Sequence, residues 1–346
     1  MDPICHTLVG ATLARTGFSR RTALGTATLL IGANLPDIDI LAYFDGPAAD
    51  LSFRRGWTHG IPALLVLPFL LTALVVGFDH LVRRMGRATL PSGVVPAQVL
   101  LLAAVAVLTH PMLDALNTYG VRWLMPFNGR WFYGDTLFIV DPWLWLILGI
   151  GFLWSGYRRR IRRLSEWTSR PAIVALQVSA GYIAVMALSG LIARTITVRE
   201  LRGVTGENVE ALMVGPVPFT PFVRSVVAAQ KNSYRATEFR WLRRPHLDVA
   251  SLRSYPRSRP QSAAVDAAAA TPVGKRFLRW ARFPVFEEEA GAEGSTLVHM
   301  IDLRYADRPG KGFGTVTIPV AASPASGSSS DSLSAYPPAG HAAPRH

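Results

Sequence analysis

Long apolar runs in the first 193 residues constrain the fold more than any other feature of the sequence. The clearest is IPALLVLPFLLTALVVGF at 61–78, and three further runs lie at 94–108, 142–154 and 172–193. A helix of about 20 apolar residues crosses the hydrocarbon core of a bilayer. Only 17% of all residues are charged, which is a small share for a soluble protein. The sequence therefore predicts an α-helical polytopic membrane domain at 1–193, with about four spans.

Two shorter apolar runs, at 4–14 and 23–35, precede these spans. The second run contains Asn34, and both are short for a full crossing, so they predict an N-terminal helical hairpin that dips into the membrane. No basic segment comes before the first run, and no small-residue cleavage site with a polar continuation follows it. We therefore expect no cleaved signal peptide.

The positive charges are grouped. Lys and Arg exceed Asp and Glu by 13. Two groups of arginines follow the first and third long runs: Arg83, Arg84, Arg87, Arg158, Arg159, Arg160, Arg162, Arg163 and Arg170. Arginine-rich loops stay in the cytoplasm and contact anionic lipids. This placement favours membrane lipid over nucleic acid as the partner, and predicts a multi-pass protein of a bacterial-type inner membrane.

The chain changes character after residue 193. Alternating apolar and polar residues at 195–198, 296–301 and 315–318 are typical of half-buried strands. They predict a C-terminal soluble domain at 194–320, β-rich or α+β, with one helix at 221–230 and a flexible loop at 258–272. An even number of spans would place this domain outside the cytoplasm. The Ser, Ala, Gly and Pro content of 321–346 predicts a disordered tail.

Ionisable residues occur at the ends of the N-terminal apolar runs, where they are costly without a partner. They are His6, Asp37, Asp39, His59, His110 and Asp114. If the arginine-rich loops are cytoplasmic, all six lie at the opposite membrane face. Since distant segments deliver such side chains to one face, the sequence predicts a metal site there.

The local spacing of these residues supports the prediction but leaves alternatives open. His110 and Asp114 share one helical face, although a histidine bonded to its own aspartate explains that pair equally well. Asp37 and Asp39 form an Asp-x-Asp in apolar surroundings, where two carboxylates favour a cation. His6 and His59 taken singly are more often hydrogen-bonded polar residues than ligands. Cys5 could be a soft ligand, but a small buried residue is the preferred interpretation.

A mixed histidine and aspartate set favours zinc, with manganese as the alternative, over calcium. Six candidates exceed the three protein ligands of a typical mononuclear catalytic zinc site. A dinuclear or larger site would accommodate them.

Five blocks of the sequence resemble the YdjM-like family of membrane-bound metal-dependent hydrolases. They are MDPICHTLVG at 1–10, LPDID at 35–39, RGWTH at 55–59, THPMLDALNTYG at 109–120 and YGDTLFIVDP at 133–142. The resemblance implies that the six residues above hold metal. It also implies a distant similarity to zinc-dependent phospholipase C, and hence phosphoester chemistry. Two positions depart from the family pattern, because Arg54 replaces a usual His and Gly60 replaces a usual Ser.

These observations predict metal-assisted hydrolysis of a phosphoester or lipid-linked substrate. Asp39 or Asp114 is the predicted proton acceptor, and Asn117 would orient a ligand or the substrate. Arg54, Arg55 and Arg130 could clamp a phosphate. The alternative is a non-catalytic membrane metal-binding or transport protein, which the apolar centres of 61–78 and 94–108 disfavour. A scaffold that binds partners through the C-terminal domain is a third hypothesis.

The predicted topology can be tested by cysteine labelling on a Cys5→Ala background. We expect an impermeant thiol reagent applied from outside to label Ser233→Cys and to leave Ser165→Cys unlabelled, because position 165 lies in an arginine-rich loop. The reverse pattern would place the metal-site residues at the cytoplasmic face.

Overall fold

The computed structural model describes residues 1–45, 53–86, 93–162, 169–306 and 313–321. Six helices make up its N-terminal part: α1 Pro3–Arg15, α2 Gly25–Gly32, α3 Ile61–Arg84, α4 Pro96–Ala115, α5 Pro142–Arg162 and α6 Arg170–Thr205. A 3₁₀ segment, Leu35–Asp45, follows α2 at an angle of 47°. The predicted N-terminal hairpin corresponds to α1 and α2.

Within the described residues, α3, α4 and α6 are long and apolar enough to cross a membrane. The bent pair of α2 and the 3₁₀ segment is a further candidate, as a broken span or a re-entrant loop. One side of α3 exposes large apolar residues such as Leu65 and Phe69, as expected for a surface in contact with lipid. All four predicted spans lie in helices, while the number of crossings stays a prediction.

The N-terminal helices pack in an order that differs from their order in the sequence. α1 lies against α2 and α5, α2 against α4, α4 against α3, and α5 against α6. Ala14, Ala33 and Ala106 are buried with Leu29 and Leu102 in one cluster, and these small alanine side chains allow α1, α2 and α4 to pack closely. This packing brings the N-terminal ends of α1 and α5 near the C-terminal ends of α2 and α4.

The C-terminal part consists of two antiparallel sheets. The first contains β1 Ala211–Pro216, β2 Val223–Ala229, β3 Ser233–Arg240 and β4 His246–Leu247 in that order, with β5 Arg253–Pro256 also on β3. The second contains β6 Pro284–Ala290, β7 Thr296–Asp302 and β8 Thr315–Val320. Helices α7 Ala263–Ala270 and α8 Pro272–Trp280 pack on the second sheet. The predicted combination of a helical membrane part with a β-rich C-terminal part is confirmed.

Three local predictions in this region were wrong. Residues 195–198 continue α6, because Ala193 and Leu201 of that helix are buried against the first sheet. Residues 221–230 form mainly β2, whose Val226 and Val227 face two different clusters. The loop predicted at 258–272 contains α7, which Ser262 caps through Val265 N–H. The strands at 296–301 and 315–318 are confirmed, and the predicted tail at 321–346 lies outside the described residues except for residue 321.

Two arginines join the two parts of the protein. Arg282 Nη1 donates to both carboxylate oxygens of Asp135, at 3.1 and 2.9 Å. Arg304 pairs with Asp302 at 2.8 Å and donates to the Thr118 carbonyl at 2.9 Å. Since residues 118 and 135 belong to the segment between α4 and α5, the C-terminal sheets are fixed to the segment that follows α4.

We expect Arg282→Gln to lower the thermal stability of the detergent-solubilised protein. The substitution removes the Arg282 Nη1 donor that contacts both oxygens of the buried Asp135 carboxylate, and breaking a buried ion pair costs about 3–5 kcal/mol. The double variant Asp135→Asn/Arg282→Gln should recover part of the loss, because no unpaired charge remains. Equal melting temperatures for the wild type and Arg282→Gln would contradict this role.

Candidate metal centre

Four ligand-type side chains converge at the ends of α2, α3 and α4. Asp37 begins the 3₁₀ segment after α2, His59 lies just before α3, and His110 and Asp114 lie in the last turns of α4. One ligand atom of each lies within 4.8 Å of all the others. His59, His110 and Asp114 are fully buried. The i, i+4 spacing of His110 and Asp114 thus directs both side chains to the same place.

The backbone fixes the orientation of the His110 ring. Nδ1 of His110 lies 2.7 Å from the carbonyl oxygen of Ala33, which can only accept a hydrogen bond. Nδ1 therefore carries the proton, and in the neutral ring Nε2 has the lone pair. This Nε2 lies 3.4 Å from Asp37 Oδ1 and 3.6 Å from Asp114 Oδ2. In that tautomer, the Nε2 lone pair faces two carboxylate oxygens.

A hydroxyl and a carboxylate orient His59 in the same way. Thr58 Oγ1 donates to Asp39 Oδ2 at 3.0 Å and lies 3.0 Å from His59 Nδ1. Because Thr58 has only one hydroxyl proton, Nδ1 of His59 must donate to it. Burial lowers the pKa of His59 to about 4, so the ring is neutral at pH 7. Its Nε2 then presents a lone pair, 3.3 Å from Asp114 Oδ2.

Asp39 lies beside the four-residue group rather than in it. Its Oδ2 accepts from the Arg55 N–H at 2.7 Å and lies 3.3 Å from His59 Nδ1. Carboxylates in this position commonly orient a metal-ligating histidine and raise its basicity. These contacts favour a positioning role for Asp39, and its predicted roles as metal ligand and proton acceptor stay predictions.

His6 approaches the group from α1. Its ring is stacked on the His110 ring, with centroids 3.7 Å apart, and its Nε2 lies 3.3 Å from Asp114 Oδ1. The amino group of Met1 also lies against Asp114 Oδ1. Neither ring nitrogen of His6 has a hydrogen bond within the part of the chain that the structure describes. His6 can therefore serve a second cation position on the other oxygen of Asp114.

Arg55 and Asn117 form the wall of the group behind Asp114. Arg55 Nε lies 3.1 Å from Asp114 Oδ2, and Arg55 Nη1 donates to Asn117 Oδ1 at 3.0 Å. The guanidinium also lies over the Tyr119 ring, 4.7 Å from its centroid. Asn117 Oδ1 accepts two more bonds, from the N–H groups of Tyr119 and Gly120. Both predicted substrate-binding residues are buried and engaged with the protein itself.

The remaining predicted residues, Arg54, Arg130 and Cys5, make the contacts that the structure shows for them outside the four-residue group. Arg54 is partly buried, and its carbonyl accepts from Arg122 Nη2 at 3.0 Å. Arg130 is exposed, with its guanidinium 5.4 Å from the Phe132 centroid. Cys5 is buried in an apolar cluster with Leu137 and is not a member of the four-residue group. This location matches the preferred interpretation of Cys5 as a small buried residue.

Three contacts escaped the sequence-based reasoning. The hydroxyl of Thr58 and the carbonyl of Ala33 set the two histidine tautomers, and Arg122 supports the Arg54–Arg55 backbone. Thr58 is adjacent to His59 within a signature block, so the sequence offered a signal for it. A carbonyl such as that of Ala33 has no sequence signal, because every residue type carries one.

The atoms in this group fit a divalent cation. The buried atoms His59 Nε2 and His110 Nε2 make no hydrogen bond among the described residues, and both face the Asp114 carboxylate, which pairs with Arg55 and with the Met1 amino group. Leaving buried acceptors unsatisfied costs about 1–3 kcal/mol each. Two neutral imidazoles and two carboxylates are an ordinary donor set for zinc or manganese. The group is therefore a candidate metal site with Asp37, His59, His110 and Asp114 as ligands.

Comparison with known proteins agrees with this geometry. The family described as YdjM inner membrane protein matches residues 1–193. The chain belongs to the YdjM family. The matched region contains all residues of the candidate metal centre. The membership of the YdjM family that the five sequence blocks indicated is confirmed, whereas the distant similarity to zinc-dependent phospholipase C stays a prediction. The sheets of the C-terminal part lie beyond the matched YdjM region.

The match to a curated relative also covers only part of the chain. The uncharacterized protein YfhP of Bacillus subtilis (strain 168) is 24% identical to the chain over 193 residues, which are 54% of this chain and 50% of YfhP. The chain thus spans about half the length of the curated relative it matches. No solved structure matches the chain.

The structure explains one departure from the usual YdjM pattern. A Cβ at Gly60 would lie 2.5 Å from the carbonyl oxygen of Met125, and a serine there would force the backbone apart. The Ile61 N–H donates to the Trp123 carbonyl at 3.0 Å, and this bond holds the two segments together. The segments therefore leave no room for a side chain at position 60. In this chain, glycine at position 60 allows the segment after α4 to pack directly beside His59.

We therefore expect Gly60→Ser, which restores the family residue, to destabilise this protein by about 1–3 kcal/mol, as overpacking does. Thermal unfolding in detergent measures the effect. Gly77→Ser is the matched control, because a Cβ at Gly77 of α3 meets nothing within 4 Å. A melting temperature for Gly60→Ser equal to that of the control would show that the Met125 contact is not tight.

Proposed function

We propose that the protein is a membrane-bound metal-dependent hydrolase that acts on a phosphoester or lipid-linked substrate. The observation that carries the proposal is the convergence of acceptor atoms from three elements, with the lone pairs of His59 and His110 directed at Asp37 and Asp114. A cation is the partner that stabilises such a convergence, because the facing acceptor atoms otherwise repel one another.

Zinc is the metal we propose, with manganese as the alternative. Zinc is commonly held by three or four histidine and carboxylate ligands, and this group offers two of each. His6 would supply a third nitrogen and a fifth ligand, since its Nε2 lies 3.3 Å from the other oxygen of Asp114. In a dinuclear centre, His6 and Asp114 would hold the second ion.

The side chains around the group would have different roles in hydrolysis. A divalent metal supplies Lewis acidity and activates water at neutral pH. Asp39 holds His59 in the productive tautomer through Thr58, and Arg55 holds Asp114 through its Nε. The Asp37 side chain is 22% exposed, whereas Asp114 is fully buried. We assign to Asp37 the contact with incoming water, with its second oxygen available to accept a proton.

The surroundings of Asp37 support a lipid-linked substrate. Ile38, Ile40 and Leu41 next to it are about half exposed, and Phe44 is 85% exposed. Exposed apolar side chains at this density mark contact with a membrane or an apolar ligand. A substrate whose hydrolysed bond lies between a polar headgroup and an acyl or isoprenoid-like chain could place its apolar part on this surface. Arg54 and Arg130 remain the proposed phosphate contacts.

We further propose that this centre faces the outside of an inner membrane. The family is described as an inner membrane family, and the arginine groups predict cytoplasmic loops on the other side. A substrate at headgroup depth in the outer leaflet would then reach the exposed side of Asp37 without crossing the bilayer.

Metal analysis of the detergent-purified protein tests the proposal. We expect at least one equivalent of a transition metal in the wild type, and little in His110→Ala/Asp114→Ala, which removes two of the four ligands. Asp39→Asn should retain the ligands but weaken metal binding by about 10- to 100-fold, as changes behind a ligating histidine do. His80→Ala is the control, because His80 is exposed on α3. Unchanged metal in a folded double variant would reject the ligand set.

Asp37→Asn separates the metal site from a purely structural cluster. With a metal present, the substitution removes a ligand, so hydrolysis of phosphodiester and phosphomonoester substrates should be lost and the melting temperature should fall. Without a metal, neutralising a crowded carboxylate relieves desolvation and repulsion, so the melting temperature should rise. Asp266→Asn, at an exposed position of α7, is the control for the charge change. A rise that is insensitive to chelator would contradict the enzyme.

A further inference from the structure

A cavity lined by arginine and tryptophan side chains lies between the two parts of the protein. It has a volume of about 400 Å³ and is enclosed by the segment after α4 on one side and by α8 on the other. Its lining residues are Arg122, Met125, Gly129, Trp131, Arg276, Arg279 and Trp280. None of them belongs to the four-residue metal group.

The charge of this cavity is strongly one-sided. Three arginines line it, and no aspartate or glutamate is among its described lining residues. Burial lowers the pKa of Arg122, the charges of Tyr119 and Asp39 raise it, and the nearby positive charge of Arg279 lowers it. An anion bound in the cavity would pair with guanidinium groups from both of its walls.

Aromatic side chains in the wall give the cavity a second recognition element. Arg122 lies over the Trp131 ring, 4.8 Å from its centroid, which holds the guanidinium in place. Trp280 is 2% exposed, and its Nε1 makes no hydrogen bond among the described residues. A buried indole N–H without an acceptor is costly, and an anionic oxygen in the cavity would supply one.

Arg122 also connects the cavity to the metal-site loop. Its backbone N–H donates to the Arg55 carbonyl at 2.9 Å, and its Nη2 donates to the Arg54 carbonyl at 3.0 Å. The guanidinium crosses Gly56 so closely that a Cβ there would lie 2.5 Å from Nη2. A ligand held by Arg122 therefore rests against the loop that carries Arg55 and His59.

We propose that this cavity is a binding site for a phosphate or diphosphate group. Arginine binds phosphate oxygens with paired N–H donors, so three guanidinium groups around about 400 Å³ match a ligand with several anionic oxygens. Both a lipid headgroup and a soluble phosphate compound carry this chemistry. The site requires neither a bound metal nor hydrolysis, so it stands independently of the proposed function.

Binding of inorganic pyrophosphate to the chelator-treated, detergent-purified protein tests the site by calorimetry. We expect saturable binding in the wild type and an affinity at least about tenfold lower in Arg276→Gln/Arg279→Gln, since a hydrogen bond to a charged group is worth about one such factor or more. Both positions are partly or fully exposed on α8, so the variant should fold. Lys231→Gln/Lys275→Gln is the control, because it removes two exposed charges, one of them on α8, outside the cavity.

A second arm distinguishes the source of the phosphate. The same variants are titrated with dioctanoyl-phosphatidylglycerol, and with dioctanoyl-phosphatidylcholine as the zwitterionic reference. Loss of pyrophosphate binding in the arginine variant alone supports a soluble phosphate ligand. Binding of phosphatidylglycerol only, with the same loss, supports a lipid headgroup. If neither probe binds, or if the arginine variant and its control behave alike, the proposal is overturned. Each outcome is independent of metal content and of hydrolysis.

Discussion

The carboxylate of Asp114 is the point on which the arrangement of the N-terminal helices depends. It is fully buried and lies within 3.6 Å of the ring nitrogens of His6, His59 and His110 and of Arg55 Nε. These partners come from α1, from the loop before α3 and from α4 itself. A buried charge is tolerated only when it is paired, so the buried Asp114 carboxylate is stable only while these segments pack around it. A metal at this point would act as a cross-link between four segments as well as a reagent.

The histidine tautomers link this packing to chemistry. The Ala33 carbonyl can face His110 only because α2 lies against α4, and the Thr58 hydroxyl can reach Asp39 only because the loop before α3 folds over the 3₁₀ segment. Each contact directs a lone pair inward. Backbone and hydroxyl groups outside the candidate ligand set therefore orient the two histidines, as such groups commonly do at metal sites.

The sequence predicted the elements whose signal is local and missed those decided by tertiary contacts. Apolar length was enough for α3, α4 and α6, and His110 and Asp114 followed from helical spacing. Residues 195–198 alternate like a strand, yet they stay helical because the sheet packs against the extension of α6. Similarly, no local pattern indicates that Asp39 contacts Thr58 and Arg55 rather than joining the ligand atoms, because that depends on a turn of the 3₁₀ segment.

The arginine contacts between the two parts also restrict the topology. Arg304 bonds the Thr118 carbonyl, and Arg282 bonds Asp135, so the second sheet is held against the segment between α4 and α5. That segment begins one residue after α4 ends, and α4 carries His110 and Asp114 in its last turns. The hydrogen bonds of Arg282 and Arg304 therefore place the second sheet at the end of α4 that carries the four-residue group.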